Sequence, residues 1–309
     1  MVAVLLALWP VSVLGQSFSF AAPPEAKPTV FVSILPQAYF IERIAGSDFD
    51  IEIMVGPGQS PETYEPTPKQ MAKLSEASIY FRIGVPFEVQ LISKIDKILP
   101  GLNIANSAEG ISFRPIENHE HHNRNHDTAE ELDPHIWLDP SLAEIISKNM
   151  LDGLISINPA QADKYRGNYD SLIADLDAVD AEIKKILAHL KGRSFYVFHP
   201  AFGYFGSAYG LKQVAVEIGG KEPGARQMAA LIERANEEGV RIIFVQPQFS
   251  RKSAETLADA IGGAVVSIDP LGADLIANLK EMAHKLAAGL NPGFVNEKKQ
   301  VKYGTGDNR

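Results

Sequence analysis

NPAQADKYRGNYDSLIADLDAVDAEIKKILAHLKG, residues 158–192, is the stretch on which the fold turns. Its apolar side chains, Tyr165, Tyr169, Leu172, Leu176, Val179, Ile183, Ile186 and Leu190, step by three or four residues. That spacing puts them on one stripe of an α-helix and predicts that the stripe is buried. Asn158 is placed to cap the start with Pro159 in the first helical position, and Gly192 is placed to stop it. The predicted helix has about 33 residues and at 1.5 Å per residue runs roughly 50 Å, long enough to pass along two globular lobes. A coiled-coil dimer would use the same stripe, but the pattern lasts only about four heptads and lies between two folded blocks.

Working outward, short β-branched runs alternate with helical patterns on both sides, the mark of βαβ units and parallel sheets. Upstream, strands are predicted at TVFVSI (29–34), DIEIMV (50–55), SIYFRI (78–83) and ISFRPI (111–116). Downstream they are predicted at SFYVFH (194–199), KQVAVEI (212–218), RIIFVQ (241–246) and AVVSID (264–269), with helices near 225–238, 251–261 and 273–289. The expected fold is therefore α/β, with two lobes, each a mainly parallel sheet flanked by helices, joined by one long interdomain helix. The expected divisions are an N-terminal lobe over 29–157, the linking helix over 158–191, a C-terminal lobe over 192–290 and a flexible tail over 291–309.

A chain of 309 residues, 45% hydrophobic and 22% charged, can bury two such cores. Its formal net charge of -9 gives no attraction to phosphate backbones, so nucleic acid is not an expected partner, and a cationic ligand fits the sign. The absence of cysteine excludes disulfides, thiolate nucleophiles, cysteine zinc sites and a lipid-bearing cysteine. Any metal must then be held by imidazole nitrogens and carboxylate oxygens. The apolar run Val2–Leu14 is short for a bilayer span and reads as the hydrophobic part of a signal peptide over residues 1–22, although no Lys or Arg precedes it.

In open parallel sheets, ligands bind beyond the carboxyl ends of the strands. In the second lobe those ends present His199, Glu217, Gln246 and Asp269. His199, in FHPAFGYF, could be a metal ligand, a general base or a hydrogen-bonded structural residue. His135 sits in DPHIWLDP, a turn whose Asp133 and Asp139 could orient the second nitrogen of a metal-binding ring. Residues 117–133, ENHEHHNRNHDTAEELD, carry His119, His121, His122 and His126 in a polar segment that cannot bury a core and should be a mobile surface loop.

Several strings together resemble the zinc and manganese substrate-binding proteins of ABC transporters, the ZnuA/TroA-like group. VFVSILPQAYFIERIAG is similar to that family's opening strand and helix, and VGPGQSPETYEPTPKQMAKLSEASIYFRIGVPFE to its first ligand loop. DPHIWLDP, FHPAFGYFGSAYGL and VQPQFSRKSAETLADAIGGAVVSIDPLG resemble the second, third and fourth ligand motifs. The resemblance runs from about Thr29 to Leu290 and implies a metal site of Glu62, His135, His199 and Asp269. Glu62 departs from the family pattern, which usually presents histidine there, yet two imidazoles and two carboxylates suit Zn2+ or Mn2+. The His-rich stretch falls where zinc-binding members often carry a charged His-rich loop, which implies an accessory metal loop.

What the resemblance implies is a periplasmic, monomeric, non-enzymatic subunit, while the apolar N-terminal run and the absence of cysteine add the expectation of secretion through a signal peptide and not as a lipoprotein. Its cargo would be one divalent ion, Zn2+ first and Mn2+ or Fe2+ as alternatives, handed to the membrane permease of an ABC importer. A metal-dependent hydrolase could use the same ligand types. No nucleophile or oxyanion motif accompanies them. A surface adhesin of the same fold is the remaining rival, and the lack of a lipidation cysteine speaks against it.

Overall fold

The computed structural model describes residues 27–116, 132–217 and 220–291. The predicted signal peptide, the four histidines of the polar loop and nearly all of the tail lie outside these residues.

The first lobe holds β1 (Thr29–Ile34), α1 (Leu35–Ala45), β2 (Asp50–Val55), α2 (Pro68–Leu74), β3 (Ile79–Arg82), α3 (Phe87–Ile98) and β4 (Ile104–Asn106). A 3-10 turn over Ile136–Leu138 leads into α4 (Pro140–Ile157), and α5 (Ala162–Leu187) follows. The second lobe holds β5 (Ser194–Val197), α6 (Gly203–Tyr209), β6 (Lys212–Ala215), α7 (Ala225–Glu237), β7 (Ile242–Val245), α8 (Arg251–Ala260), β8 (Ala264–Ser267) and α9 (Leu275–Gly289). Both sheets are parallel and share one topology, β2-β1-β3-β4 and β6-β5-β7-β8. The first strand of each lobe is central, so successive strands are added on both sides of it. The crevice at its carboxyl end is where such a sheet presents ligands.

The expected two-lobe α/β architecture is what the chain adopts, with two corrections. Residues 111–116 form no ladder and contribute only an isolated bridge between Pro115 and Leu132. Pro115 has no N–H to give to a ladder. The segment runs across to the second lobe, where the Arg114 N–H donates to Tyr204 Oη at 2.9 Å and the Arg114 guanidinium donates to the Gly203 carbonyl at 2.6 Å. The fourth strand is instead the short β4, whose single Ile104 gives little signal in sequence.

The second correction concerns the linking helix. It has 26 α-helical residues, flanked by 3-10 turns at Pro159–Gln161 and Ala188–Leu190. Asn158 does not cap it by its side chain. Its N–H closes α4 on Leu154 O at 3.0 Å, and its Nδ2 donates to Tyr165 Oη at 2.9 Å. Gly192 does end the segment, with a positive φ of 82° that a β-carbon disfavours.

The predicted stripe is buried as expected. Tyr165, Leu172, Leu176, Val179, Ile183 and Leu190 are buried, with Tyr169 and Ile186 half-buried beside them. Helix α5 packs on α1 and α4 of the first lobe and on α6 and α9 of the second. One apolar cluster consequently runs through both lobes, while a smaller one lies under α7 and α8. Ion pairs Arg43–Asp175 (2.6 Å), Lys164–Asp48 (2.8 Å) and Lys280–Glu182 (2.7 Å) flank the helix. Exposed pairs of this kind add little, so burial is the main tie between the lobes.

Close packing also sets one glycine. A β-carbon on Gly153 of α4 would stand 2.5 Å from Phe81 Cε1, and Phe81 is fully buried in β3. Gly to Ala inside a helix ordinarily stabilises by about 1 kcal/mol through propensity. Here the clash outweighs that, and Gly153→Ala should destabilise the fold by about 1–3 kcal/mol in urea unfolding.

Candidate metal centre

Loops at the carboxyl ends of the strands converge between the lobes. Glu62 comes from the loop between β2 and α2. That loop is pinned at its far end by Gln70, whose Nε2 donates to the Met54 carbonyl at 2.9 Å, and by Thr67, which caps α2. His135 precedes the 3-10 turn that opens α4, and His199 follows β5. One ligand atom from each of Glu62, His135 and His199 lies within 4.8 Å of the other two. His199 Nε2 and Glu62 Oε1 are 3.8 Å apart. A tetrahedral ion with bonds near 2.0–2.1 Å needs donors roughly 3.3 Å apart, so this pair must close by about half an ångström to share one.

Each ring is aimed by a buried carboxylate. Asp133 Oδ1 lies 2.8 Å from His135 Nδ1 and also accepts from the His135 backbone N–H at 3.0 Å. Glu217 Oε1 lies 2.7 Å from His199 Nδ1. Carboxylates accept, so each Nδ1 carries the proton and each Nε2 keeps its lone pair for the space between the rings. Gln246 fixes the His199 backbone from both sides, accepting from its N–H at 3.2 Å and donating to its carbonyl at 2.6 Å. All four residues, Asp133, Glu217, His135 and His199, are no more than 6% exposed. Glu62 is the half-buried member of the set.

Aromatic rings complete the walls. His199 stacks on Phe249 with centroids 4.7 Å apart, His135 stands edge-on to His199 at 5.3 Å, and Trp137 lies 5.3 Å from His135. Trp137 Nε1 donates to the Pro270 carbonyl at 2.7 Å, which ties the His135 turn to the loop after β8. The cavity between Glu62, Val85, His135, Trp137, His199, Phe249 and Leu271 has a volume of about 20 Å³. That is room for one water-sized sphere. A second, open cleft of about 500 Å³ lies beyond Glu62, lined by Tyr64, Glu65, Phe87, Gln90 and Lys94. Glu62 borders both spaces, and the two rings border only the smaller one.

Val85 is held in the wall by Glu88, which accepts from the N–H groups of Ile83 (2.9 Å) and Gly84 (2.7 Å) and from the Ser33 hydroxyl. Burial pushes the Glu88 carboxyl above the usual carboxylate range, against the pull of these donors.

Of the expected ligands, Glu62, His135 and His199 come together. Asp269 lies beside them on the loop after β8 but outside the three-residue group, with Oδ1 accepting from Gln248 Nε2 and from the Leu271 N–H. His119, His121, His122 and His126 fall outside the described residues. Asp133, read as part of the polar loop, is buried at 1% exposure and serves the site. Strand-end reasoning picked out Glu217 and Gln246 without their roles. The aromatic walls, Trp137 and Phe249, carried no sequence signal beyond apolar character.

The chain belongs to the family described as zinc-uptake complex component A, periplasmic, whose model matches residues 30–289. It is 27% identical over 263 residues to the zinc-binding protein AdcA of Streptococcus pyogenes, covering 80% of this chain and 51% of that one. The chain thus spans about half the length of the AdcA relatives it matches. It is 28% identical over 248 residues to the high-affinity zinc uptake system protein ZnuA of Bacillus subtilis, with 78% of each chain covered. A crystal structure of ZnuA superposes with a TM-score of 0.80 at 36% identity, covering 86% of this chain and all of that one.

The aiming carboxylates generate a prediction. Glu217→Gln and Asp133→Asn should each lower zinc affinity by about 10- to 100-fold in competition titrations, with the metal-free secondary structure unchanged by circular dichroism.

Proposed function

We propose that this chain is the metal-capturing subunit of a zinc importer, working outside the cytoplasmic membrane and delivering its ion to an ABC permease. The observation that carries the reading is the pair of imidazoles, each fixed by its own buried carboxylate, facing Glu62 across a cavity of about 20 Å³. Such a space takes an ion and no organic substrate, which ordinarily needs about 300 Å³ or more. The neighbouring large cleft is not bordered by either ring, so the geometry favours capture over hydrolysis at an open coordination position. The names of the relatives, zinc-binding and zinc uptake, point the same way. Among the described residues, no helix is long and apolar enough to cross a membrane.

On this reading the ion is cargo, and His135, His199 and Glu62 are its principal ligands, with Asp269 the fourth. Borderline-soft Zn2+ suits two nitrogens and two oxygens. The charges of Glu62 and Asp269 would offset that of a divalent ion, and the buried carboxylates of Asp133 and Glu217 behind the rings add further negative charge that favours a cation. The His-rich stretch 117–133 would gather ions at lower affinity than the main site.

Calorimetry on chelated and refilled protein should show about one tight zinc per chain. Zinc at 100 times its dissociation constant should stabilise the fold by about 2.7 kcal/mol, read as a higher thermal midpoint. A titration without a tight site would refute the reading. Glu62→Gln should lose at least about tenfold in affinity, and Glu62→His should keep tight binding by substituting nitrogen for oxygen. Deleting residues 118–127 should remove weakly bound ions and leave the tight site.

A further inference from the structure

The turns that carry His135 and His199 belong to different parts of the chain, and one residue behind them is bonded to both. Arg114 is half-buried in the segment that crosses between the lobes, and it does not line the ion cavity. On the first side its carbonyl accepts the N–H of Asp133 at 2.8 Å, and the Asp133 carboxylate holds both the ring and the backbone N–H of His135. On the second side its guanidinium donates to the Gly203 carbonyl at 2.6 Å and its N–H to Tyr204 Oη at 2.9 Å. Gly203 opens α6 at the end of the turn that starts at His199, where the His199 carbonyl accepts from the Ala201 N–H at 2.8 Å. The guanidinium also lies over the Tyr204 ring, 5.6 Å from its centre. Packing closes the same junction, since a β-carbon on Gly203 would stand 2.7 Å from Asp133 Oδ2 and 3.4 Å from Arg114 Cζ. Phe113, the preceding residue, covers Gly84 beside Val85 of the cavity wall, its ring 3.2 Å from where a β-carbon of Gly84 would lie.

We propose that Arg114 is a positioning residue for metal capture, clamping the His135 turn to the His199 turn of the other lobe so that the two rings stay at a separation one ion can bridge. The inference rests on the metal-capture reading above. A change in ring separation strains the hydrogen bonds that meet at Arg114. Holding both donors in place before the ion arrives spares the binding step the cost of ordering them, so the clamp contributes affinity and slow release. Charge alone argues the other way. A guanidinium near the site repels a divalent ion, and deleting it would tighten binding if Arg114 were a bystander. Clamp and Coulomb effects therefore have opposite signs, and the sign observed decides between them.

The test uses the full chain with Arg114→Met, which keeps the apolar stem and loses the donors, and Arg114→Lys, which keeps the charge and a donor. Tyr204→Phe removes only the hydroxyl that accepts the Arg114 N–H. Arg43→Met is the control, since it breaks the ion pair with Asp175 without touching either histidine turn. Zinc dissociation constants are measured by chelator competition and release rates by stopped flow, with circular dichroism and thermal midpoints of the metal-free proteins alongside. The expected result is about tenfold weaker zinc binding in Arg114→Met, at the low end of what residues behind a metal's ligands cost, carried by faster release. Tyr204→Phe should lose less in the same direction, and Arg114→Lys and Arg43→Met should stay close to the parent. In a His199→Ala background, where no second ring is left to position, Arg114→Met should cost nothing further. Unchanged or tighter zinc in Arg114→Met, an equal loss in Arg43→Met, or a full loss persisting in the His199→Ala background overturns the proposal. If Arg114→Met does not fold, Tyr204→Phe carries the same comparisons. Failure of the capture reading would look different, as the parent protein itself would show no tight zinc site.

Discussion

Two imidazole rings carried by different parts of the chain stand 5.3 Å apart, and holding them there is the constraint on which the rest of the architecture depends. His135 lies at the threshold of α4 and His199 at the end of β5. Neither lobe alone can close a site. The apolar stripe of α5 joins both lobes in one continuous core, and the Trp137–Pro270 and Arg114–Gly203 hydrogen bonds cross between them beside the rings. Changing the separation of the rings would mean opening that core, so the site is preorganised by burial instead of being assembled at the moment of binding.

The electrostatics follow from the same packing. Asp133 and Glu217 are buried, and a buried carboxylate must be hydrogen-bonded to be tolerated. Each finds an imidazole N–H, and in taking it turns the other ring nitrogen toward the cavity. The carboxylate that keeps the core satisfied is thus the one that gives the ring its ligand geometry. Close packing enforces this at Gly203, where a β-carbon would come within 2.7 Å of Asp133 Oδ2. On the proposed reading Glu62, half-buried and bordering both the small cavity and the open cleft, is the residue placed to meet an ion first.

Much of this was legible in the sequence, and the exceptions have physical causes. β1 and β2 end where their hydrophobic alternation ends, at Ile34 and Val55. The four strands of the second lobe stop one to three residues short of their predicted ends. Phe198, Val216, Gln246 and Ile268 stay buried beyond the last paired residues, and the N–H groups of Phe198, Val216 and Ile268 still donate across the sheet, so the apolar runs outlast the regular ladder by a residue or more. The stretch 111–116 alternates like a strand, yet it bridges only to Leu132 and sends Arg114 to Gly203 and Tyr204 of the other lobe, a fact no local pattern contains. Asn158 has the residue type of a cap but bonds Tyr165, because the tight turn between α4 and α5 sets its direction. In the site, strand-end placement found His199, Glu217, Gln246 and Asp269, while Glu62 and the four-ligand set came from family resemblance. The pairing of Glu217 with His199 spans 18 residues of chain and appears only once β5 and β6 lie side by side.

The most direct test of this account is anomalous diffraction at the zinc edge from crystals of the zinc-loaded protein. The predicted result is one strong peak about 2.0–2.2 Å from His135 Nε2, His199 Nε2 and a Glu62 oxygen, with both Nδ1 atoms still on their carboxylates. A principal peak away from this cavity, or one bound by the two rings with Glu62 turned out to solvent, would contradict it.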